Sequence, residues 1–232
     1  MSALEITLRF LGAIVAGYLL GSIPSGVIVS RIFGGSDPRL QGSGKTGATN
    51  VLRTLGPGPA AIVVLVDFGK GVAAVLLARY LFFGAIPHPG YSDQTWSLLR
   101  DSAEALAALG ALVGHNYSVF IGFKGGRGVL TGAGAMTAMS PVATLFAAIA
   151  GIPAVYLTRY VSLGSVLGAL MAGCFEIYLA ITGHDSWPHC AFIVVASVIV
   201  IVSHKDNIER LRAGVERKLG EKATPSGEAP QR

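Results

Sequence analysis

The sequence predicts an all-α, polytopic integral membrane protein with seven transmembrane helices, and three observations support this. Of its 232 residues, 52% are hydrophobic and 13% are charged, whereas an ordinary soluble domain carries roughly 25% charged residues. The apolar residues fall into long blocks, and a helix satisfies its own backbone hydrogen bonds in lipid. The basic residues lie at the ends of these blocks, so we attribute the net charge of +5 to membrane topology and expect no nucleic-acid binding.

The first apolar block, residues 4–33, is interrupted in its second half by the run Gly21-Ser22-Ile23-Pro24-Ser25-Gly26. It continues far past the length of a signal-peptide core and lacks a convincing cleavage site, so we interpret it as an uncleaved span. A broken span is stable where protein or a water-filled cavity covers the freed backbone groups. The block therefore predicts one span with an internal break.

The second apolar block, residues 60–84, contains Asp67 and Lys70, and the third, residues 99–123, contains Glu104 and His115. A spacing of three residues places Asp67 and Lys70 on one helix face, where they can pair. Charges inside a membrane span are often functional. The spacing leaves open whether this pair is functional or structural.

The block at residues 129–157 decides the number of spans, because it is broken around Pro141. As one tilted helix it gives six spans, and as two helices it gives seven. Cations flank the cytoplasmic ends of spans. With seven spans Arg39, Lys124, Arg159 and the basic tail share one side, so we predict seven spans, an outer N-terminus and a cytoplasmic C-terminus. The last two blocks are residues 165–181 and 187–203.

The domain organisation follows from these blocks. Residues 1–204 are predicted to form a single transmembrane catalytic domain, and residues 205–232 a cytoplasmic tail. The end of the tail is rich in Pro, Gly and Glu, a composition that favours disorder.

The loop Phe123 to Gly128, FKGGRG, places two cations among three glycines and contains no acidic residue. Glycines allow backbone N–H groups to approach a ligand closely, and neighbouring cations complete an anion site. The loop therefore predicts a site for a phosphate-bearing ligand at the membrane edge. The alternative is a loop whose charges only set the orientation of the chain.

The run GSGKT at residues 42–46 is similar to a nucleotide-binding P-loop but departs from its pattern. That pattern needs a glycine five positions before the Gly-Lys pair, and Arg39 stands there. A backbone nest for an anion remains possible at this loop. The predicted topology also brings residues 42–53, 115–128, 159–165 and 204–210 to one membrane face, where His204 and Asn207 share a helix face.

Six segments carry a resemblance that covers nearly the whole chain in order: LLGSIPSG, GSGKTGATNVLRTLG, DFGKG, GHNYSVFIGFKGGRGV, RYVSLGS and HKDNIERLRAGVE. Together they resemble the motifs of the PlsY-type bacterial acyl-phosphate:glycerol-3-phosphate acyltransferases. The resemblance implies transfer of a fatty acyl group from acyl phosphate to the C1 hydroxyl of glycerol 3-phosphate. The products would be lysophosphatidic acid and phosphate, the first step of phospholipid synthesis. It also implies a bacterial cytoplasmic (inner) membrane protein whose site faces the cytoplasm.

The resemblance also assigns residues. Ser43, His204 and Asn207 correspond to catalytic positions. Three residues depart from the family's usual pattern: Lys45 for Asn, Ser118 for Pro and Arg127 for Lys. The substrate-binding positions are Gly42, Gly44, Gly47, Asn50, Arg53, His115, Lys124, Gly125, Gly126, Arg127, Gly128, Ser162 and Ser165.

The expected partners are acyl phosphate, glycerol 3-phosphate and the lipid bilayer, with no cofactor, no metal and a monomeric chain. Phosphate is a competent leaving group, so positioning and charge neutralisation should suffice for direct transfer without an acyl-enzyme. Either His204 or the donor phosphate would accept the hydroxyl proton. The alternative function is a transporter of phosphate or a phosphorylated solute, which would need binding groups reachable from both faces.

Overall fold

The computed structural model describes residues 2–84 and 90–221, and all the elements within them are helices. The predicted all-α class is therefore confirmed. The predicted disordered end of the tail, residues 222–232, lies outside the described residues. Residues 2–84 and 90–221 form ten α-helices: α1 (Ala3–Ser22), α2 (Ser25–Ile32), α3 (Ala48–Leu55), α4 (Pro57–Leu77), α5 (Asp93–Asn116), α6 (Val129–Met139), α7 (Pro141–Thr158), α8 (Val161–Ile181), α9 (Trp187–Ser203) and α10 (Lys205–Arg212).

Three shorter elements complete the fold: 3₁₀ turns at Pro38–Leu40 and Val119–Ile121, and a π-helical extension of α4 at Ala78–Gly84. Helix α5 begins several residues before the apolar block that predicted it. Its polar first turn is capped by Ser92, whose Oγ accepts from the Thr95 backbone N–H at 3.2 Å. The chain between the second and third apolar blocks is thus partly helical, and its residues 85–89 lie outside the described residues.

The predicted break in the first apolar block is confirmed between α1 and α2. The side chains of Lys70 and Ser118 donate to the freed carbonyl oxygens of Ile23 (3.0 Å) and Ser22 (2.5 Å). Lys70 also pairs with Asp67 at 2.8 Å, which confirms the pairing expected from their spacing. The ion pair therefore supports the broken helix, and Ser118, a departure from the family pattern, supplies one of the supporting hydrogen bonds.

The predicted break at Pro141 is also confirmed, because α6 ends at Met139 and α7 begins at Pro141. Proline suits a first helical position because its missing N–H would have no partner there. Between the two helices, the Ser140 hydroxyl donates to Glu176 Oε2 on α8 at 2.7 Å. Helix α6 has only 11 residues, roughly 17 Å of helical rise, against a hydrocarbon core of roughly 30 Å.

Four segments in the described part of the chain are long and apolar enough to cross a membrane: Ala3–Ile32, Pro57–Leu81, Pro141–Thr158 and Val161–Ile181. A fifth results if α9 and α10, bent by 54° relative to each other, form one span. Length and composition therefore give four or five spans. The number seven and the orientation stay predictions.

Close helix packing depends on glycine at two interfaces. On α1, a Cβ at Gly21 would lie 2.0 Å from the Ala111 carbonyl oxygen of α5. On α6, a Cβ at Gly134 would lie 2.0 Å from the Phe68 carbonyl oxygen of α4. Small residues of this kind let membrane helices approach backbone to backbone. The pairs α1–α5, α4–α6 and α7–α8 form the most extensive contacts.

A group of charged side chains, here called the distal cluster, joins the end of α4 to the beginnings of α5 and α9. Arg79 donates two hydrogen bonds to Glu104, at 2.8 and 2.7 Å. His189 lies between two carboxylates, with Nδ1 2.9 Å from Asp185 and Nε2 3.3 Å from Glu104. Arg100 and Asp101 complete the cluster with an ion pair at 3.1 Å.

Candidate active site

A polar cavity of about 290 Å³ lies at the other ends of these helices. Its wall comes from the loop before α3, the end of α5, the beginnings of α6 and α8, and the chain after α9. Eleven residues that the sequence assigns to the site line it: Ser43, Gly47, Asn50, Arg53, His115, Arg127, Gly128, Ser162, Ser165, His204 and Asn207.

Five other assigned residues, Gly42, Gly44, Lys124, Gly125 and Gly126, are absent from this wall. Gly42 and Gly44 have φ angles of 59° and 66°, which side-chain-bearing residues rarely adopt, so they shape the loop that carries Ser43. Lys124 is exposed. Of the two cations in the FKGGRG loop, the structure therefore turns only Arg127 into the cavity.

Gly125 and Gly126 support the cavity from behind. Their backbone N–H groups donate to the carbonyl oxygens of Asn116 (3.1 Å) and His115 (3.0 Å). A Cβ on Gly126 would lie 2.1 Å from His115 Nε2. These glycines thus allow the loop to pack directly on the end of α5, where His115 lines the cavity.

The loop before α3 is organised by Asn50, which is 2% exposed. Its amide nitrogen lies 2.6, 3.1 and 2.9 Å from the carbonyl oxygens of Pro38, Gln41 and Lys45. Its amide oxygen accepts from the Ser43 backbone N–H at 3.1 Å. Asn50 therefore fixes Ser43 at the cavity edge. Lys45, another departure from the family pattern, also lines the cavity and adds a cation to it.

Arg53 and Arg127 are partly buried and, among the described residues, form no ion pair. Arg53 Nη2 donates to the Arg217 carbonyl oxygen at 3.2 Å, and Arg127 Nε to that of Ser203 at 3.1 Å. Arg53 Nε is buried without a hydrogen-bond partner. Burial lowers the pKa of both guanidinium groups, and cationic neighbours lower it further. Buried cations without carboxylate partners form a site that an anionic ligand would stabilise.

His204 is 3% exposed, and its ring has a defined orientation. Nδ1 lies 2.8 Å from the Val200 carbonyl oxygen. A carbonyl only accepts, so Nδ1 carries the proton and Nε2 presents a lone pair. Burial lowers the pKa of His204, the bond to Val200 opposes this, and Arg127 lowers the pKa further. His204 is therefore neutral at pH 7 and can accept a proton.

Glu216 is a cavity residue that the sequence reasoning placed in the tail and did not assign to the site. Its Oε1 accepts from Ser162 (2.8 Å) and Asn207 (2.6 Å), and its Oε2 accepts from Arg210 (2.7 Å). Burial raises the pKa of Glu216, but these hydrogen bonds outweigh it and the pKa lies below its ordinary value. The only signal in the sequence was the position of Glu216 at the end of the segment HKDNIERLRAGVE.

Asp67 is a second cavity residue without a prior assignment. Its Oδ1 accepts from Ser25 Oγ (2.6 Å) and Lys70 Nζ (2.8 Å), and lies 3.5 Å from His115 Nδ1. Its Oδ2 is buried without a hydrogen-bond partner. Asp67, one member of the ion pair that supports the broken helix, thus also lines the cavity.

A larger, mainly apolar cavity of about 810 Å³ runs between α4, α6, α7, α8 and α9. It extends from Arg159 and Leu219 at the polar end to Met136, Thr144 and Phe192 deeper among the helices. The two cavities share four lining residues: Val129, Leu130, Val161 and Ser165.

A membrane protein that joins a cationic cavity to a long apolar one can hold an anionic head and a hydrocarbon chain side by side. This arrangement defines the class of membrane enzymes that act on lipids and their phosphorylated precursors.

Comparison with known proteins identifies the family. A family model described as glycerol-3-phosphate acyltransferase matches residues 11–214, and the chain belongs to this family. The chain is 44% identical to glycerol-3-phosphate acyltransferase 2 of Moorella thermoacetica, over 91% of this chain and 98% of that one. It is 41% identical to glycerol-3-phosphate acyltransferase 1 of Deinococcus radiodurans, over 94% of this chain and 100% of that one.

Two solved structures are similar over most of their length. One is the glycerol 3-phosphate form of PlsY, an integral membrane glycerol 3-phosphate acyltransferase, with a TM-score of 0.76 and 33% identity over 91% of this chain and 96% of that one. The other is its lysophosphatidic acid form, with a TM-score of 0.74 and 32% identity over 91% of this chain and 95% of that one. The resemblance drawn from the sequence is confirmed, this chain is an integral membrane protein, and the transporter alternative gains no support.

Proposed function

We propose that this protein transfers a fatty acyl group from acyl phosphate to the C1 hydroxyl of glycerol 3-phosphate, releasing lysophosphatidic acid and inorganic phosphate. One observation carries the proposal: a cationic cavity of about 290 Å³ meets an apolar cavity of about 810 Å³. The donor needs both, because its phosphate is anionic and its chain is apolar. The acceptor is small and anionic and needs only the cationic one.

The cations that line the polar cavity are assigned to the two phosphates. Arg53 has an unused buried donor, and Arg127 contacts only a backbone carbonyl through Nε, so both can turn to phosphate oxygens. Bidentate geometry suits arginine to this role. Lys45 contributes a third charge. Lys124 is exposed, and its role is to attract the anions from solution.

The reaction is direct. The C1 oxygen of glycerol 3-phosphate attacks the carbonyl carbon, the bond from that carbon to the phosphate oxygen breaks, and the phosphate leaves with the electron pair. The hydroxyl proton goes to His204 Nε2 or to the departing phosphate. Ser43 and Asn207 hold the reactants in line, and Glu216 fixes Asn207 and Ser162. Positioning and charge neutralisation provide most of the rate enhancement.

The proposal includes a monomer of seven spans in the bacterial inner membrane, with the active site and C-terminus in the cytoplasm and the N-terminus outside. The spans are α1 with α2, α4, α5, α6, α7, α8 and α9. The cavity-side ends carry most of the cations, as expected for cytoplasmic ends. Among the described residues, Arg53 and Arg127 there form no ion pair, whereas Arg39 and Arg210 pair with Asp37 and Glu216. Arg79 and Arg100, at the opposite ends, are paired with Glu104 and Asp101.

Labelling of single cysteines tests this topology in a variant without Cys174 and Cys190. The exposed positions Ser36 and His184 lie at opposite helix ends. A membrane-impermeant maleimide should reach Ser36→Cys only from the cytoplasmic side and His184→Cys only from outside. Labelling of both from the same side would overturn the seven-span arrangement.

The activity is tested with purified protein, palmitoyl phosphate and glycerol 3-phosphate, by measuring phosphate release together with lysophosphatidic acid formation. Both products should appear in equal amounts, and palmitoyl-CoA should not replace the donor. Hydrolysis without acylated product, or equal use of the thioester, would overturn the proposed reaction.

A further inference from the structure

The junction of the two cavities carries one polar side chain. Of the four residues that line both cavities, Val129, Leu130 and Val161 are aliphatic, and Ser165 bears a hydroxyl. In an acyl phosphate the carbonyl group lies between the hydrocarbon chain and the phosphate. A donor with its chain in the apolar cavity and its phosphate in the polar one therefore places its carbonyl group at this junction.

The Ser165 hydroxyl is available for a ligand. Its Oγ donates to the carbonyl oxygen of Val161, one helical turn earlier, at 2.9 Å. Within an α-helix that carbonyl also accepts the backbone N–H four residues later, so it does not depend on the hydroxyl. Rotation about χ1 can redirect the hydroxyl and leave no buried group without a partner.

Ser162, three residues earlier on the same helix, differs in this respect. Its hydroxyl donates to Glu216 Oε1 at 2.8 Å, and the side chain lines only the polar cavity. Redirecting it would remove a hydrogen bond from a buried carboxylate, which is costly. The two serines of the segment RYVSLGS are thus chemically identical, but one is fixed and the other is free to move.

We propose that Ser165 is a catalytic residue that donates a hydrogen bond to the carbonyl oxygen of the transferred acyl group. The assignment rests on the proposed function. As the C1 oxygen adds to the carbonyl carbon, that oxygen becomes negative and the hydrogen bond strengthens. Ser165 keeps its proton and forms no covalent bond, because the electron pair leaves with the phosphate and the hydroxyl proton goes to His204 or that phosphate.

The beginning of α6 supports this placement. Its N-cap, Gly128, has no side chain to cap the first turn, and Val129 and Leu130 lie at the junction. The first backbone N–H groups of a helix lack partners within it and favour negative charge. The developing oxyanion therefore lies between the Ser165 hydroxyl and a helix N-terminus.

The test compares Ser165→Ala with Ser102→Ala. Ser102 is partly exposed on α5, and its hydroxyl makes the same type of bond to the carbonyl four residues earlier, at 2.7 Å. Ser165→Ala should lower kcat about a hundredfold, the loss typical of one oxyanion donor, with an unchanged KM for glycerol 3-phosphate. Ser102→Ala should match the wild type, and Ser165→Thr should recover much of the lost rate.

A substrate-like inhibitor separates catalysis from structure. Hexadecyl phosphate has the chain and the phosphate but no carbonyl group, so its inhibition constant should be the same for the wild type and Ser165→Ala. An inhibition constant that rises by the factor by which kcat falls would assign Ser165 a structural role and overturn the proposal. So would an unchanged kcat in Ser165→Ala, or a trapped acyl-serine in the wild type. A wild type inactive with palmitoyl phosphate would instead refute the proposed function itself.

Discussion

The distal cluster and the polar cavity contain the same kinds of side chain, but they use them differently. In the distal cluster Arg79 donates two hydrogen bonds to Glu104, and His189 lies between two carboxylates. In the polar cavity Arg53 and Arg127 donate to backbone carbonyls, and one buried Arg53 donor has no partner. Charges that satisfy one another stabilise the fold, whereas charges left unpaired are available to a ligand.

His189, in the first turn of α9, and His204, directly after its last residue, give the largest expected contrast. His204→Ala should lower kcat about 10²–10⁴-fold, the usual contribution of a general base, with little change in thermal stability. His189→Ala should lower thermal stability and leave turnover per folded protein close to the wild type. Comparable activity losses in both variants, measured on folded protein, would contradict the division of roles.

Glu104 tests the scaffold side of the comparison. It is fully buried and pairs with Arg79, and removing one partner of a buried pair costs about 3–5 kcal/mol. Glu104→Gln should therefore unfold at markedly lower temperature in detergent, while its turnover per folded protein stays close to the wild type. A stable variant with lost turnover would move Glu104 from the scaffold to the catalytic machinery.

Arg53 tests the ligand side. Arg53→Gln removes a partly buried cation that forms no ion pair with any described residue, so thermal stability without substrate should be unchanged or higher. The specificity constant for glycerol 3-phosphate should fall about 10- to 100-fold, because a hydrogen bond to a charged group contributes about 1.5–3 kcal/mol. Stability loss with an unchanged specificity constant would mean that Arg53 belongs to the scaffold.

The smallest expected effect is a shift in pH dependence. If His204 is the base, it acts in its neutral form. Because its pKa lies below the ordinary value of 6.5, activity should be constant near neutral pH and should decrease only at pH values below 6.5. Substrate phosphates titrate near pH 6 as well. The residual activity of His204→Ala distinguishes the two, because removing the imidazole abolishes the acid limb that belongs to His204 and leaves the limb that belongs to the substrate. If the activity of this variant still decreases over the same acidic pH range, the titrating group is the substrate phosphate.

The sequence predicted the structural features that depend on residues close together in the chain. Proline and the surrounding small residues located the breaks at Pro24 and Pro141, and a spacing of three residues located the Asp67–Lys70 pair. The apolar block predicts too late a start for α5, because the first turns of this helix are polar, although Ser92 is a recognisable N-cap.

Two features of the site depend on non-local geometry that the sequence could not supply. Glu216 reaches Ser162 across 54 positions, through a turn of the chain after α10. The glycine loop turns Arg127 inward and Lys124 outward. Backbone hydrogen bonds from Gly125 and Gly126 hold it on the end of α5, and the φ angles are positive at Phe123 (60°) and Gly128 (78°). The sequence predicted that both cations belong to the site, whereas the backbone conformation places Arg127 in the cavity and leaves Lys124 exposed.

The short helix α6 connects the distal cluster to the polar cavity. Besides its bonds to Glu104, Arg79 donates to the Ala138 carbonyl oxygen at 2.9 Å, at the far end of α6. The 11 residues of α6 extend over roughly 17 Å. At the first turn of this helix, its near end, Val129 and Leu130 line the junction of the two cavities. Arg79 therefore joins the far end of α6 to the distal cluster, while the near end of the same helix borders both cavities.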